Sequence, residues 1–469
     1  EIYTLSLHDA LPICVSKSDI KNKKILVVGM ARSGLATVEV LCRQGAYVLC
    51  QDSKLKEEMD AEIVEKLDSM NVKYLFGEKP EELDFDLIVV SPGVPLYIDL
   101  LKEAKEKGIK IIGELELAYQ LSSANFISIT GTNGKTTTTT LVGEIFKKAG
   151  VDSSVGGNIG IPVILKAADA KKDSWLIVET SSFQAESIDE FHPRVSALLN
   201  LGPDHLDRHK TFEKYSAAKA RIFENQKKED YAVVNADDDM VMKFAPGIKA
   251  TVVPFSRKRE LDFGSFVTGG NIVIKNEAEE LLKICKEEDL KIPGTHNLEN
   301  ALAAVAISYF AGIEPAVIQS ALKAFAGVEH RIEPCGEIDG IKYINDSKGT
   351  NPDAVIKAIQ AMKSDIVLIA GGYDKGADYT EFVEAFGDKV KHVVLMGKTA
   401  VKIKNACQKI GFDNTIIVKD MEDCVREATR LAVAGNTVLL SPACASWDMY
   451  NSFEERGRHF KECVRKMEK

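Results

Sequence analysis

Lys135 and Thr136 close the stretch "ITGTNGKTT" (129–137), where a lysine and a hydroxyl follow a glycine-bounded turn. That combination suits a triphosphate. Backbone N–H groups of Gly131, Thr132, Asn133 and Gly134 would surround phosphate oxygens, Lys135 would neutralise the β- and γ-phosphates, and the Thr136 hydroxyl would face Mg²⁺, with Thr137 next in line. The usual phosphate-loop pattern asks for an earlier glycine where Ile129 stands, so the cradle is shortened rather than lost. ATP is the expected ligand.

A magnesium ion on a triphosphate needs hard oxygen ligands. Glu179 ends the apolar run "WLIVETSS" (175–182), where a carboxylate either meets a nucleotide at the sheet edge or is a solvated strand end. The stretch "NLGPDHLDRH" (200–209) supplies Asp204, His205, Asp207 and His209; one histidine ligand beside one surface partner suits it better than a two-histidine zinc site. Lys219, in the alanine-rich "YSAAKARIF", reads by periodicity as a surface lysine.

A second turn, "GMARSGLA" (29–36), follows a strand and opens a helix, and Asp52 ends the next strand. A dinucleotide fingerprint would carry glycine where Ala31 stands, and its methyl crowds the pyrophosphate position, which argues against NAD. The helix N-terminus still offers N–H groups to another nucleotide, with Asp52 accepting from its base or sugar. The alternative is that Gly29, Ser33 and Gly34 only close a tight turn and cap the helix.

These loops need sheets to hold them. Short β-branched runs alternate with helix-length amphipathic segments, the pattern of parallel sheets with crossover helices. One set holds "KILVVG", "YVLCQD", "DLIVVSPG" and "IKIIG"; a second holds "NFISITG", "WLIVETSS", "VSALLNLG" and "YAVVNADDD"; a third holds "IKYINDS", "DIVLIAGG", "HVVLMG", "TIIVKD" and "TVLLSPA". A helix is predicted over 113–124 and a helical stretch over 297–325. The fold class is α/β in three domains: a Rossmann-like domain at 15–117, a mononucleotide-binding domain at 118–327 and a second Rossmann-like domain at 328–469.

The chain of 469 residues exceeds what one core serves, and its 45% apolar and 28% charged residues are ordinary for a soluble enzyme. A formal charge of −10 gives no basic footprint for nucleic acid. Nine scattered cysteines without a C-x-x-C pair read as the reduced thiols of a cytoplasmic protein. No apolar run has the length of a membrane span, and a monomer is expected. The opening "EIYTLSLHDALPIC" (1–14) has neither the basic start nor the long apolar core of a signal peptide and reads as a non-native extension.

The motifs "GTNGKTT", "GGNIG" (156–160), "ETSSFQ" (179–184), "DHLDRH" (204–209), "AAKARI" (217–222), "GTHNLENALAA" (294–304) and "EHRIE" (329–333) together resemble the Mur ligases, ATP-dependent amide ligases of peptidoglycan precursor synthesis. The resemblance covers about residues 22–465. "NDSKGTN" (345–351), "GGYDKGAD" (371–378) and "SPACASWD" (441–448) resemble the members that add D-glutamate to UDP-N-acetylmuramoyl-L-alanine. No D-N-P-R signature of the diaminopimelate- or lysine-adding members is present.

The resemblance implies roles that spacing does not. Lys219 matches a lysine that is carbamylated in the family and becomes a carboxylate-like Mg²⁺ ligand, which displaces the surface-lysine reading. Glu179 and Thr136 match ligands of one metal, and His205 a ligand of a second. Asn297, Asn300 and Arg331 match nucleotide contacts, and Asp346 a ribose contact. Lys348, Thr350, Lys375, Ser446 and Phe453 match positions around the incoming D-glutamate, and Trp447 joins the candidate substrate-binding set beside them. Ser33, Gly34, Asp52, Ser53, Gly93, Asn158, Thr180, Ser181 and Gln184 fall in the set that binds the uridine-nucleotide substrate. Lys135, His205, Lys219 and Lys348 form the implied catalytic set. Two departures adjoin the acceptor pocket: Trp447 stands where some relatives carry leucine, and Tyr373 interrupts what is often "GGDGK". Competing readings are a sibling ligase with another acceptor, an NAD-dependent oxidoreductase and a non-catalytic ATP-binding regulator.

Overall fold

The computed structural model describes residues 20–467 apart from Pro293, Lys375 and Gly376. The predicted extension at 1–14 and the acceptor candidate Lys375 therefore lie outside the described residues. The chain forms two compact units, one ending at Phe325 and one beginning at Ala326. Among the described residues no helix is long and apolar enough to cross a membrane, and the eight described cysteines are free thiols.

The first unit holds two sheets. One has five parallel strands in the order Lys73–Phe76, Tyr47–Asp52, Lys24–Val28, Leu87–Val90 and Lys110–Gly113. Its central strands are nearly continuous apolar runs because helices cover both faces of a parallel sheet. Strand order reverses at Lys24–Val28, and the carboxyl edge beside such a reversal is where open α/β sheets leave a ligand crevice.

The second sheet has nine strands, in the order Leu281–Lys286, Asn271–Lys275, Gly264–Thr268, Thr251–Ser256, Tyr231–Asn235, Val195–Leu198, Asn125–Thr130, Trp175–Glu179 and Ser153–Gly157. Four of these were legible as apolar runs. The antiparallel edge was not, because "GSFVT", "NIVIK" and "LLKICK" hold no more than three apolar residues in a row; the first two strands turn on Gly269 and Gly270, whose φ values of 53° and 71° suit a tight hairpin. The helical stretch predicted over 297–325 is two helices, Thr295–Phe310 and Pro315–Ala324. Gly312, at φ 94°, ends the first, and Pro315 starts the second where its missing N–H costs no bond.

The second unit carries a six-stranded sheet in the order Glu333–Ile338, Ile341–Asn345, Thr437–Leu440, Ile366–Ala370, Val390–Leu395 and Thr415–Ile417. Its first pair is antiparallel and the rest are parallel.

Within the first unit the two sheets share a core in which Ile25, Val27 and Leu41 belong to one cluster with Ile164, Val178 and Phe191. The helix Glu114–Leu121 joins them. Glu116 accepts the backbone N–H groups of Asp189, Glu190 and Phe191 at 2.7, 3.0 and 2.9 Å. Glu114 accepts from Ile164 N–H at 2.9 Å through Oε1, and its buried Oε2 has no hydrogen-bond partner among the described residues. Burial pushes the Glu114 carboxyl up to about 7, against the lowering effect of the Ile164 N–H and Arg32. Folding therefore favours its protonated form, so its contribution to stability is greatest below the unfolded value of 4.5 and is lost as pH rises toward 7, by up to about 3 kcal/mol. Glu114→Gln should raise Tm relative to the parent at pH 8 and leave it nearly unchanged at pH 4.5; thermal denaturation at both pH values checks this.

Candidate active site

Strand Asn125–Thr130 ends in the loop that opens the helix Lys135–Lys148. Gly134 turns the chain at φ 83°, and a Cβ there would meet Asn300 Oδ1 at 2.3 Å, so only glycine fits. Asn300 also accepts from Thr138 Oγ1 at 3.3 Å and donates to Asn297 Oδ1 at 3.2 Å, tying the loop's helix to Thr295–Phe310. On the other side Asn200 clamps Asn133, accepting its N–H at 2.7 Å and donating to its carbonyl at 3.1 Å. Lys135 folds back over the loop and donates to the carbonyls of Gly131 and Thr132 at 2.8 and 2.9 Å. Thr136 and Thr137 are buried behind the loop, consistent with packing overriding their weak helix propensity.

Glu179 sits 2% exposed beside this loop, which removes the solvated-strand-end alternative. Its Oε2 accepts from Thr136 Oγ1 at 2.9 Å and its Oε1 from Asn158 Nδ2 at 2.8 Å. Lys219 is also only 2% exposed, which corrects the periodicity reading of a surface lysine. Alanines at 217, 218 and 220 let the helix Phe212–Ala220 lie close, and the ammonium is left against Thr130 Oγ1 at 3.4 Å and the Tyr215 ring at 4.9 Å. Burial pulls Lys219 down to about 7, the Lys135 ammonium adds to this, and Asp204 and Glu179 oppose it.

His205 lies in the left-handed region at φ 51°, a conformation uncommon outside glycine, and its ring faces Phe183 and Tyr215 at centroid distances of 4.9 and 6.5 Å. His209 corrects the expectation of a surface partner. It is 5% exposed, hydrogen-bonded through Nε2 to Ser182 at 3.0 Å, with Nδ1 3.2 Å from Glu186 and its ring stacked on Phe183. It packs as a core histidine, and that burial lowers its pKa.

A cavity of about 730 Å³ opens at the carboxyl edge of the five-stranded sheet and runs to the second sheet, lined by Ser33, Asp52, Ser53, Gly93, Asn158 and Gln184 among others. One Asp52 oxygen accepts from Met30 N–H at 2.7 Å and stiffens the altered turn, and Gly34 lies where a Cβ would be 1.8 Å from Gly29 O. Ser181 and Gln184 form a reciprocal cap on the short helix Ser182–Ala185. Thr180 is fully buried with its hydroxyl 2.8 Å from Ser128 Oγ, so it supports the sheet from inside instead of facing the cavity.

In the second unit Asp346 is buried, accepting from Ser441 Oγ at 2.5 Å and from Ile332 N–H at 3.2 Å; burial pushes its carboxyl up to about 6. Buried Arg456 pins the surrounding loops through Ser347 Oγ and the carbonyls of Ser347, Ala445 and Cys444. Lys348 lies 6.0 Å from the Phe453 ring centre, Thr350 follows in the same loop, Ser446 is buried, and Arg331 is exposed. The departures Tyr373 and Trp447 form one patch, with ring centres 5.5 Å apart and Trp447 63% exposed.

Family models match three stretches of the chain: "Mur ligase MurD-like, N-terminal domain" at 23–113, "Mur ligase middle domain" at 129–308 and "Mur ligase, glutamate ligase domain" at 330–444. A UDP-N-acetylmuramoylalanine--D-glutamate ligase of Caldanaerobacter subterraneus is 49% identical over 95% of this chain and 99% of that protein. The chain belongs to the Mur ligase family. A ligase of the same name from Clostridioides difficile is 48% identical, again over 95% and 99%. Among solved structures, MurF of Acinetobacter baumannii superposes with a TM-score of 0.58 at 16% identity, covering 93% of both chains. MurF ligase from Thermotoga maritima in complex with ADP gives 0.54 at 17%, covering 96% of this chain and 97% of that one. These two establish likeness of fold.

In this Mur ligase, the first unit gathers the predicted loop residues with Glu179, Asn158, Asn297 and Asn300, and sets Lys219 and His205 near the same Tyr215 ring. Three further residues shape the first unit's site without having been singled out by sequence, Asn200, Tyr215 and Arg208, and Arg456 does so for the loops of the second unit. Arg208 lay within the quoted "DHLDRH", and a cation three residues after a candidate ligand was a usable signal. Gly134→Ala should weaken ADP binding at least ~10-fold through left-handed strain and the Asn300 clash, read by calorimetric titration, while the melting transition of the rest of the chain persists.

Proposed function

We propose that this chain is an ATP-dependent amide ligase that adds D-glutamate to UDP-N-acetylmuramoyl-L-alanine, releasing ADP and phosphate, in peptidoglycan precursor synthesis. The observation that carries the reading is 49% identity to a ligase of that name along nearly the whole chain, with the phosphate-loop residues intact. Joining a carboxylate to an amine in water is uphill. The alanine carboxylate of the substrate therefore attacks the γ-phosphate to give an acyl phosphate, and the D-glutamate amine attacks the acyl carbon and expels phosphate.

The first step brings anion to anion, so positive groups must converge on the transferred phosphoryl group. Lys135 and the N–H groups of residues 131–134 supply them, with Asn297, Asn300, Arg331 and Asp346 holding the rest of the nucleotide. Thr136, Glu179, His205 and a carbamylated Lys219 would hold two Mg²⁺ ions, which supply charge neutralisation on the phosphate oxygens. The donor set fits. Burial, with the Lys135 ammonium nearby, favours the neutral amine of Lys219, the form that reacts with CO₂, and the resulting carbamate would present oxygen to the cation.

Ser33, Gly34, Asp52, Ser53 and Gly93 are assigned to the uridine nucleotide, and Asn158, Ser181 and Gln184 to its amino-acid end. Lys348, Thr350, Lys375, Ser446, Trp447 and Phe453 are assigned to D-glutamate, and His205 or a nearby carboxylate takes the proton from its ammonium. We assign the domains to 15–117, 118–327 and 328–469, and the protein to the cytoplasm as a monomer without membrane insertion.

Phosphate release with ATP, Mg²⁺ and UDP-N-acetylmuramoyl-L-alanine tests the reading, with D-glutamate, L-glutamate or L-lysine as acceptor. Release with an amide product only for D-glutamate is expected; turnover with another acceptor would move the assignment to a sibling, and none with any acceptor would favour a regulator. Lys219→Ala should lose at least ~100-fold in kcat at ambient and raised bicarbonate alike. Full activity in that variant would refute the carbamate.

A further inference from the structure

We infer that Arg208 is a positioning residue that sets the distance between the substrate-holding edge of the first sheet and the phosphate edge of the second; this rests on the ligase reading above. Its guanidinium is held at three points. Nη1 donates to the Gly93 carbonyl at 3.1 Å, and Nη2 donates to the Val94 carbonyl at 3.0 Å and to Glu186 Oε2 at 3.0 Å. The plane lies 4.9 Å over the Phe183 ring, and the side chain is 11% exposed. A planar fork meeting two carbonyls and a carboxylate is a task that lysine, a point charge on a flexible stem, cannot perform.

Three segments meet at this side chain. Gly93 and Val94 belong to a turn closed by Val94 N–H to Ser91 O, and Ser91 Oγ in turn donates to Gly29 O, so the arginine holds the wall of the cavity beside the altered glycine turn. Glu186 follows the short helix that begins just after Glu179, and its other oxygen lies 3.2 Å from His209 Nδ1. Arg208 itself lies in the one-turn helix Leu206–His209 that His205 opens, and its own N–H donates to the His205 carbonyl at 3.1 Å. A shift of the Gly93 turn is thus resisted by the segments that carry Glu179 and His205.

That coupling matters because the substrate is long. Asp52 and Ser53 at one end of the cavity and Asn158 and Gln184 at the other line a single space, so a molecule gripped at the first end presents its carboxylate at the second. A misplacement near 1 Å at the reacting carboxylate costs on the order of 100-fold in rate, even when binding at the far end is intact. It also leaves an acyl phosphate poorly presented to the amine and open to water.

The test uses the full chain with ATP, Mg²⁺, UDP-N-acetylmuramoyl-L-alanine and D-glutamate, and compares Arg208→Ala and Arg208→Lys with the parent. Expected for Arg208→Ala is a kcat lower by ~30- to 100-fold, a KM for ATP within about twofold of the parent, and more phosphate released per amide formed. Arg208→Lys, which keeps the charge beside Glu186, should fall between the two in rate and coupling. If Arg208→Ala does not fold, Arg208→Lys decides. Parental kcat and one phosphate per amide in a folded variant would overturn the proposal, as would a loss of rate that appears only as a raised KM for ATP. Absence of any D-glutamate amide from the parent would instead sink the ligase reading.

Discussion

Two ammonium groups, Lys135 and Lys219, are held near one another at the end of one strand, and Lys219 is almost wholly withdrawn from water. Burying like charges together is unfavourable unless something anionic or uncharged completes the arrangement. Much of the site reads as a response to that constraint. Glu179 is buried beside Thr136, Asp204 and Glu179 pull against the depression of Lys219, and Lys135 turns to its own loop carbonyls. A triphosphate at Lys135 and a carbamate on Lys219 would each remove part of the imbalance, which is why one loop and one buried lysine suit the same chemistry.

The scaffold makes this arrangement durable by placing it where backbone geometry already favours anions. Parallel strands end together at the carboxyl edge, helices begin there, and unpaired N–H groups point outward. Both sheets of the first unit do this, and their shared core holds one edge in register with the other. Glu116 does the same with three backbone N–H bonds, apart from those of the Arg208 fork. Polar residues thus connect the sheets at chosen points, and apolar packing supplies the bulk of the contact.

The half-satisfied carboxyl of Glu114 shows the other side of this economy. A buried acid with one partnered oxygen is easier to keep protonated than ionised, so the joint between the sheets carries a pH sensitivity that the reaction does not require. Arg456 plays the corresponding structural part in the second unit, where four donations from one guanidinium tie the loop at Ser347 to the one at Cys444 and Ala445.

The sequence by itself determined most of the parallel strands, though not Lys73–Phe76, Ser153–Gly157 or Thr251–Ser256, together with the altered glycine turn and the phosphate loop, because each is a local pattern: β-branched runs suit strands covered on both faces, and glycine, lysine and threonine at fixed spacing impose their own geometry. It also carried the family, since motifs spread from residue 131 to residue 448 agree on one. The antiparallel edge at 264–286 escaped it because apolar runs of two or three residues carry little strand signal. Only the tertiary structure decided that Lys219 is buried, that His209 packs as a core residue, that Thr180 faces Ser128, and that Arg208 ties three segments together. Periodicity along one helix says which residues share a face; whether that face meets solvent, a ring or a distant turn depends on neighbours brought together by packing.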